Sequence, residues 1–411
     1  MSMQGNIETM TTGGSLPKES KLSLTSGWTI VIGIILISLT MRSPITSVGP
    51  LLSSIREALV LSNTVAGLIT ALPLLAFCAL SPFAPGLARR FGLERVLLYS
   101  LILLMIGFAV RLIPATVPLI GGTVLIGLAI AVFNVLLPSL VKRDFPLQVG
   151  IMTGVYTVSM NLCGALASGT SVPLARDVGL GWNGALGIWG VLVPITALFW
   201  FFQARSGRAA AGMKAGVLKR RSLWRSPLAW TVALFMGMQS LIFYVSIAWF
   251  PDMLTGRGLS DSSAGWMISL LQLSQLPVTF IVPIIAGRMK NQRLLVIIMA
   301  VLLFASLGGL YFGLGGNNLI PLWIIFLGIG GGSSFSLAMI FLTLRTKDAQ
   351  DAASLSGMSQ SVGYLLAASG PTLFGLLHDV TGGWNIPLLL LLGVSGLLFI
   401  CGWGASQNRT V

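Results

Sequence analysis

The chain has 411 residues, 55% of them hydrophobic and only 9% charged. A soluble domain carries roughly 25% charged residues, so most of this chain must be dissolved in lipid and a water-soluble globule is excluded. The formal charge of +14 sits in short segments between apolar runs, which is the pattern of membrane topology; no basic segment is long enough to form a nucleic-acid-binding domain.

The first 26 residues carry Glu8, Lys18, Glu19 and Lys21 and have neither the apolar core nor the cleavage site of a signal peptide, so 1–26 reads as a disordered cytoplasmic tail. About 20 apolar residues are needed to cross the hydrocarbon core. Stretches of that kind run 27–50, 64–87, 95–113, 116–141, 148–173 and 183–204. A linker rich in Gly, Ala, Lys, Arg and Ser fills 206–226. The apolar stretches then resume at 227–251, 262–287, 292–314, 318–344, 351–377 and 384–405, before a tail at 406–411. The predicted fold is an all-α membrane protein of twelve transmembrane helices, in two six-helix bundles over 27–205 and 227–405.

With the N-terminus placed inside, cytoplasmic segments hold 20 of the 25 Lys and Arg residues. The outer loops hold Arg56, Arg111, Arg176 and Arg257, and Arg42 is left within a helix. The bias puts both termini in the cytoplasm.

The two groups of spans repeat. Leu61-Ser62-Asn63-Thr64-Val65-Ala66-Gly67 matches Leu259-Ser260-Asp261-Ser262-Ser263-Ala264-Gly265. Asp177-Val178-Gly179-Leu180-Gly181-Trp182-Asn183 matches Asp379-Val380-Thr381-Gly382-Gly383-Trp384-Asn385, and between them Gly127 pairs with Gly328 and Gly154 with Gly357. Parallel repeats of this kind place a pseudo-two-fold axis along the membrane normal, with a substrate site near the midplane that is exposed to each side in turn as the bundles rock.

Catalytic and metal chemistry find no footing. Cys78, Cys163 and Cys401 are far apart in apolar runs, His378 is the only histidine, and there is no phosphate-binding G-x-x-x-x-G-K-[ST]. The chain is expected not to be an enzyme and to need no metal or cofactor. All 11 acidic residues fall outside the helix cores. Any proton coupling would therefore use the substrate or a loop-proximal acid such as Asp252 or Asp379, or transport is not carboxylate-coupled.

Arg42 is the exception among the charges. It lies about 14 residues into the first span, roughly 21 Å from the inner face, too deep to snorkel and costly unless it meets protein, water or an anion. Two readings stay open: a structural arginine bonded to backbone carbonyls beside Pro44 and Pro50, or a ligand for a planar anionic group. The repeat sets Gln239-Ser240 opposite Arg42-Ser43, and Asn161 opposite Tyr364; Gln360 precedes Tyr364 by one turn. Tyr156, Asn134, Tyr244, Gln272 and Gln275 are further polar residues within spans. Each is a candidate for substrate contact or for an interhelical hydrogen bond.

Several stretches resemble a known family. They are Met41-Arg42-Ser43-Pro44 with Gly49-Pro50-Leu51-Leu52, Leu72-Pro73-Leu74-Leu75-Ala76-Phe77, Asn134-Val135-Leu136-Leu137-Pro138 leading to Lys142-Arg143-Asp144-Phe145-Pro146, Trp224-Arg225-Ser226-Pro227-Leu228-Ala229-Trp230, and Ser356-Gly357-Met358 through Ser361-Val362-Gly363-Tyr364-Leu365-Leu366-Ala367-Ala368. The chain resembles the major facilitator superfamily over nearly its whole length. Within it the resemblance is to the cyanate/2-nitroimidazole transporter group, on its nitroimidazole-exporter side. The resemblance implies a secondary active transporter of the bacterial inner membrane, working as a monomer on a small molecule. The expected substrate is anionic or polarised (cyanate-like, nitroimidazole-like or a small carboxylate), and the alternative is broad-specificity drug efflux.

At the superfamily's signature position between the second and third spans the chain reads Gly86-Leu87-Ala88-Arg89-Arg90-Phe91-Gly92-Leu93-Glu94-Arg95, with Arg89 where an aspartate usually stands. Gly86, Arg90, Gly92 and Glu94 are the expected conformational residues; the two glycines would permit a tight turn, and Glu94 would replace the missing carboxylate. A fluorescent protein fused after Val411 is expected to fold and fluoresce in cells, and alkaline phosphatase fused within 177–182 is expected to be active; the opposite pair of results would invert the topology.

Overall fold

The computed structural model describes residues 24–61, 63–205 and 223–411, and these are helical and turn segments throughout, with no strand among them. The expected tail up to residue 23 and the linker up to residue 222 lie outside the described residues. Helix α1 (Leu24–Thr46) and α2 (Val48–Leu59) make the first span, interrupted at Ser47 three residues after Pro44. The second span is α3 (Asn63–Leu80) and α4 (Ala84–Phe91), bent by 56°; Pro85 in the first turn of α4 has no amide to continue α3 but suits a fresh helix start. Helices α5 (Leu93–Arg111), α6 (Thr116–Asp144) and α7 (Val149–Arg176) follow as single spans. A short α8 (Gly181–Gly187), a 3-10 turn and α9 (Leu192–Arg205) run on together as the sixth span.

The second group is α10 (Pro227–Thr255), α11 (Asp261–Arg288), α12 (Arg293–Tyr311), α13 (Ile320–Leu344), α14 (Ala349–Thr381) and α15 (Asn385–Ala405). Among the described residues ten helical segments are long and apolar enough to span a membrane, and the bent α3–α4 pair makes an eleventh. The remaining span is α14. It has 33 residues, but Ser356, Ser359, Gln360, Ser361 and Tyr364 dilute its apolarity, because its first half is packed against both bundles while Leu365, Leu373 and Leu376 further along stay exposed.

Neighbours repeat in both bundles. Helix α1 packs on α7 as α10 packs on α14, α3 on α6 as α11 on α13, and α5 on α6 as α12 on α13. The paired glycines occupy matching contacts. A methyl on Gly127 would stand 3.1 Å from Pro73 Cα, and one on Gly328 would stand 2.5 Å from Leu271 O. Within lipid no hydrophobic force draws helices together, so close packing over small residues supplies the attraction.

The two bundles meet at the arginine-rich end through α7 on α11 and α3 on α14. Thr157 Oγ1 donates to Thr279 O (3.0 Å), Ser361 Oγ to Cys78 O (2.9 Å), Ser356 Oγ to Asn134 O (3.2 Å) and Ser139 Oγ to Ala349 O (2.7 Å). A methyl on Gly154 would lie 2.9 Å from Phe280 O, and one on its repeat partner Gly357 would lie 2.7 Å from Ser81 O. That end is closed, and a cavity of about 1030 Å³ occupies the opposite half of the bundle.

The structure corrects two expectations and adds detail to a third, the C-terminal tail. Leu24–Ser26 belong to α1 and not to the tail. Residues 406–411 are packed back: Ser406 O accepts from Gln292 N (3.4 Å), and Val411 N donates to Arg345 O (2.9 Å). Arg111, assigned from the sequence to an outer loop, ends α5 and is buried.

Gly150→Val should disturb the seam, since its Cβ would sit 2.5 Å from Pro283 O. The expected loss is about 1–3 kcal/mol, read as a lowered melting temperature in detergent. Gly121→Ala, where the same position meets open space, should cause no loss.

Candidate functional site

Arg42 lies on the α1 face that meets α7. Its aliphatic stem crosses Gly164, where a methyl would stand 2.5 Å from Arg42 Cγ; only glycine leaves room for the stem. The guanidinium carbon is 5.1 Å from the Phe243 ring centre and 5.9 Å from that of Phe335. Arg42 is thus held between two aromatic faces, each attracting it through the negative centre of the ring. Among the described residues Arg42 has no ion pair.

An enclosed space of about 20 Å³ adjoins Arg42, lined also by Asn161, Gln239, Ser240, Phe243, Tyr244, Gln275, Gly331, Phe335 and Tyr364. It has room for about one water. The larger cavity shares Arg42, Phe243, Tyr244, Phe335 and Tyr364 and extends past Asn134, Gln272 and Trp249. No Asp or Glu lines either space. Gln239 is fixed within its own helix, donating to Met236 O (3.0 Å) and Ser240 Oγ (2.6 Å). Tyr364 packs on Phe77 with ring centres 4.7 Å apart.

The structure therefore brings together Arg42, Asn161, Gln239, Tyr244, Gln275 and Tyr364 at the junction of the two spaces, with Asn134 deeper in the larger one. It places Tyr156 and Gln360 elsewhere. Tyr156 is 2% exposed and Gln360 fully buried. The Tyr156 hydroxyl and both amide atoms of Gln360 have no hydrogen-bond partner, and neither residue lines these two spaces. Gln360 lies one turn from Ser356, which bonds to α6, and one turn from Tyr364, so it faces the other bundle beneath the cavity floor.

Of the two readings of Arg42, the carbonyl-bonded one is not what the structure holds. Pro44 O is taken by Arg111, whose Nη1 donates to it at 2.7 Å. Sequence reasoning missed Arg111 because it closes an apolar run where a loop was expected. Phe243 and Phe335 were missed because an aromatic residue in an apolar span carries no signal of its own.

The expected conformational residues divide. Gly92 takes φ +88, the conformation that lets α4 turn into α5. Gly86 lies inside α4 and makes no turn, which corrects the tight-turn expectation for it. Arg90 is exposed, 5.2 Å from the Phe91 ring centre. Glu94, in the first turn of α5, is 3% exposed and pairs with Arg143 Nη1 at 2.7 Å. Arg143 also grips Asp144 through Nε (2.8 Å) and Nη2 (2.9 Å). This pair joins α5 to α6 within one bundle, so Glu94 does not bridge the two bundles. Its repeat counterpart is neutral: Arg345 Nη2 donates to Gln292 Oε1, and burial lowers the Arg345 guanidinium from 12.5 to about 10.

The Major Facilitator Superfamily profile matches residues 30–371. A Bacillus subtilis (strain 168) protein named as uncharacterized transporter YycB is 47% identical over 397 residues, covering 96% of this chain and 98% of that one. The 2-nitroimidazole transporter of Escherichia coli (strain K12) is 41% identical over 383 residues, covering 93% and 96%. The proton:xylose symporter XylE superposes with a TM-score of 0.78 at 13% identity, covering 94% of this chain and 98% of that one, a likeness of fold alone.

Glu94→Gln should cost about 1–2 kcal/mol of stability, because it leaves one prong of a part-buried Arg143 without its carboxylate. Asp144→Asn should cost less, since Asp144 is the more exposed partner. Thermal unfolding of the purified variants checks the order.

Proposed function

Because the chain belongs to the Major Facilitator Superfamily, and within it to the cyanate/2-nitroimidazole transporter group, we propose that this multi-pass membrane transporter carries a small anionic or polarised molecule with Arg42 as its central ligand. The observation that carries the reading is the Arg42 guanidinium, set between aromatic rings and without an ion-pair partner, in a cavity that no Asp or Glu lines. An unpaired charge in low dielectric is expensive. A substrate with a carboxylate, nitro or linear anionic group removes that cost through the guanidinium fork, and Phe243 and Phe335 leave the fork's edge free while covering its faces.

Asn161, Gln239, Tyr244, Gln275 and Tyr364 would orient the remainder of the substrate, since they come from both bundles at one level. Rocking about that level would open the seam at the arginine-rich end and close the cavity around the ligand. Tyr156 and Gln360 then gain a role: their unpaired polar atoms, costly where they are buried, would line the path once the seam parts, with Asn134 beside them. By the distribution of Lys and Arg the closed end is cytoplasmic, with both termini inside, and the inner membrane of a bacterium is the compartment that fits. We take the working unit to be a monomer, since one chain carries both halves of the site.

The cavity volume favours a second reading, broad-specificity efflux. About 1030 Å³ is far more than a triatomic anion requires and matches the volumes of sites for drug-sized molecules. Against this stands the sign of the charge on the cavity wall, which is positive and disfavours cationic drugs.

Counterflow in proteoliposomes loaded with sodium cyanate, 2-nitroimidazole or sodium benzoate tests the reading. At least one should exchange, and Arg42→Gln should reduce that exchange at least about tenfold, as loss of a charge-assisted bond of more than 1.4 kcal/mol implies. Arg42→Lys should recover part of it. Gly164→Ala should raise the apparent Michaelis constant by displacing the arginine stem. Exchange unchanged in Arg42→Gln would overturn the assignment.

A further inference from the structure

The same cavity holds a second arginine. Arg111 is 2% exposed, yet it lines the space that Arg42 lines. Its side chain is anchored on one prong only. Nη1 donates to Pro44 O at 2.7 Å, and the guanidinium carbon lies 5.1 Å from the Phe108 ring centre. Nη2 is buried and has no hydrogen-bond partner. Close packing holds the backbone in place: a methyl on Gly122 of α6 would stand 2.6 Å from Arg111 N.

Electrostatics make this arrangement informative. The cavity wall carries two guanidinium groups and no Asp or Glu. Each cation pays for its own desolvation, and each raises the cost of the other by repulsion. If Arg111 served only to cap Pro44 O, a neutral donor would do so without that cost, and Nη2 would not be left over. The free prong and the excess positive charge both call for an anion.

Depth separates the two groups. At 1.5 Å per residue Arg42 lies about 21 Å from Trp28, where its span begins, and Arg111 lies about 27 Å from Leu93. Arg111 is therefore nearer the open end of the cavity and Arg42 nearer the floor.

We propose that Arg111 is a second anion station at the open end of the cavity. Nη2 is covered in this conformation; a small turn of the guanidinium about the Nη1–Pro44 O bond brings it to the anionic group of the substrate, which Arg111 then hands on to Arg42. The station rests on the reading of Arg42 as the central anion ligand, and extends it from one site to a path. The ligand class is the same: a carboxylate, nitro or small linear anion. Positive charge near the entrance also raises the capture rate of anions, an effect that salt screens.

Isothermal titration of the purified full chain with sodium benzoate, sodium cyanate and sodium nitrite, at low and high sodium gluconate, tests the station. Arg111→Gln is expected to weaken binding about tenfold and to remove most of the salt dependence, while Arg111→Lys keeps the salt dependence. Arg42→Gln is expected to leave a weak residual site that disappears in the double variant. If Arg111→Gln binds as the wild type does, the station is overturned while Arg42 stands. If Arg42→Gln binds as the wild type does, the central reading falls instead. If none of the three anions binds the wild type, both fall. Bromide offers a measurement free of substitutions: anomalous density beside Arg111 Nη2 in crystals grown in sodium bromide supports the station, and density at Arg42 alone overturns it.

Discussion

The cation of Arg42, seated in a membrane protein with no acid on the walls around it, is the constraint on which the site depends. A charge in such surroundings must be solvated by something, and the structure supplies only partial answers. Phe243 and Phe335 cover the guanidinium faces, worth about 0.5–2 kcal/mol each. Gly164 lets the stem lie flat so that the head reaches the axis. What remains unsatisfied is the hydrogen-bonding edge, and it faces the space where a substrate would lie.

Around that point the two bundles act as a scaffold with one closed end. Serine and threonine hydroxyls reach across to backbone carbonyls, and glycines bring helix backbones into contact. Such contacts are individually weak, so they can be undone and remade at modest cost. The strong pair, Glu94 with Arg143, stays inside one bundle. Rigidity is thus placed within bundles, and the changeable contacts lie between them, which is the division that a rocking carrier needs.

Different parts of the molecule were legible to different degrees. The number and order of spans follow from hydropathy and length, because lipid imposes one rule on every helix that crosses it. The eleventh span illustrates the limit: α14 is polar along the face turned inward, and hydropathy alone ranks it below the others although it is central. The matching of Arg42 with Gln239 and of Asn161 with Tyr364 came from the repeat, and all four do line one small space. Tyr156 and Gln360 satisfied the same criterion of polar residues within spans but lie beneath the cavity, since membership of a span fixes neither depth nor facing. Gly86 shows a related gap, being helical where a turn was expected.

By itself, the sequence determined the solvent, the helix count, the duplication and the position of Arg42 deep within a span. These are properties of composition and period, which lipid and the 3.6-residue helix convert directly into structure. Only the tertiary structure decided which end is closed, that aromatic rings flank Arg42, and that Arg111 leaves the expected loop to take the carbonyl of Pro44. Those outcomes depend on how helices distant in the chain approach one another, and that approach is set by packing over glycine and serine faces that many sequences share.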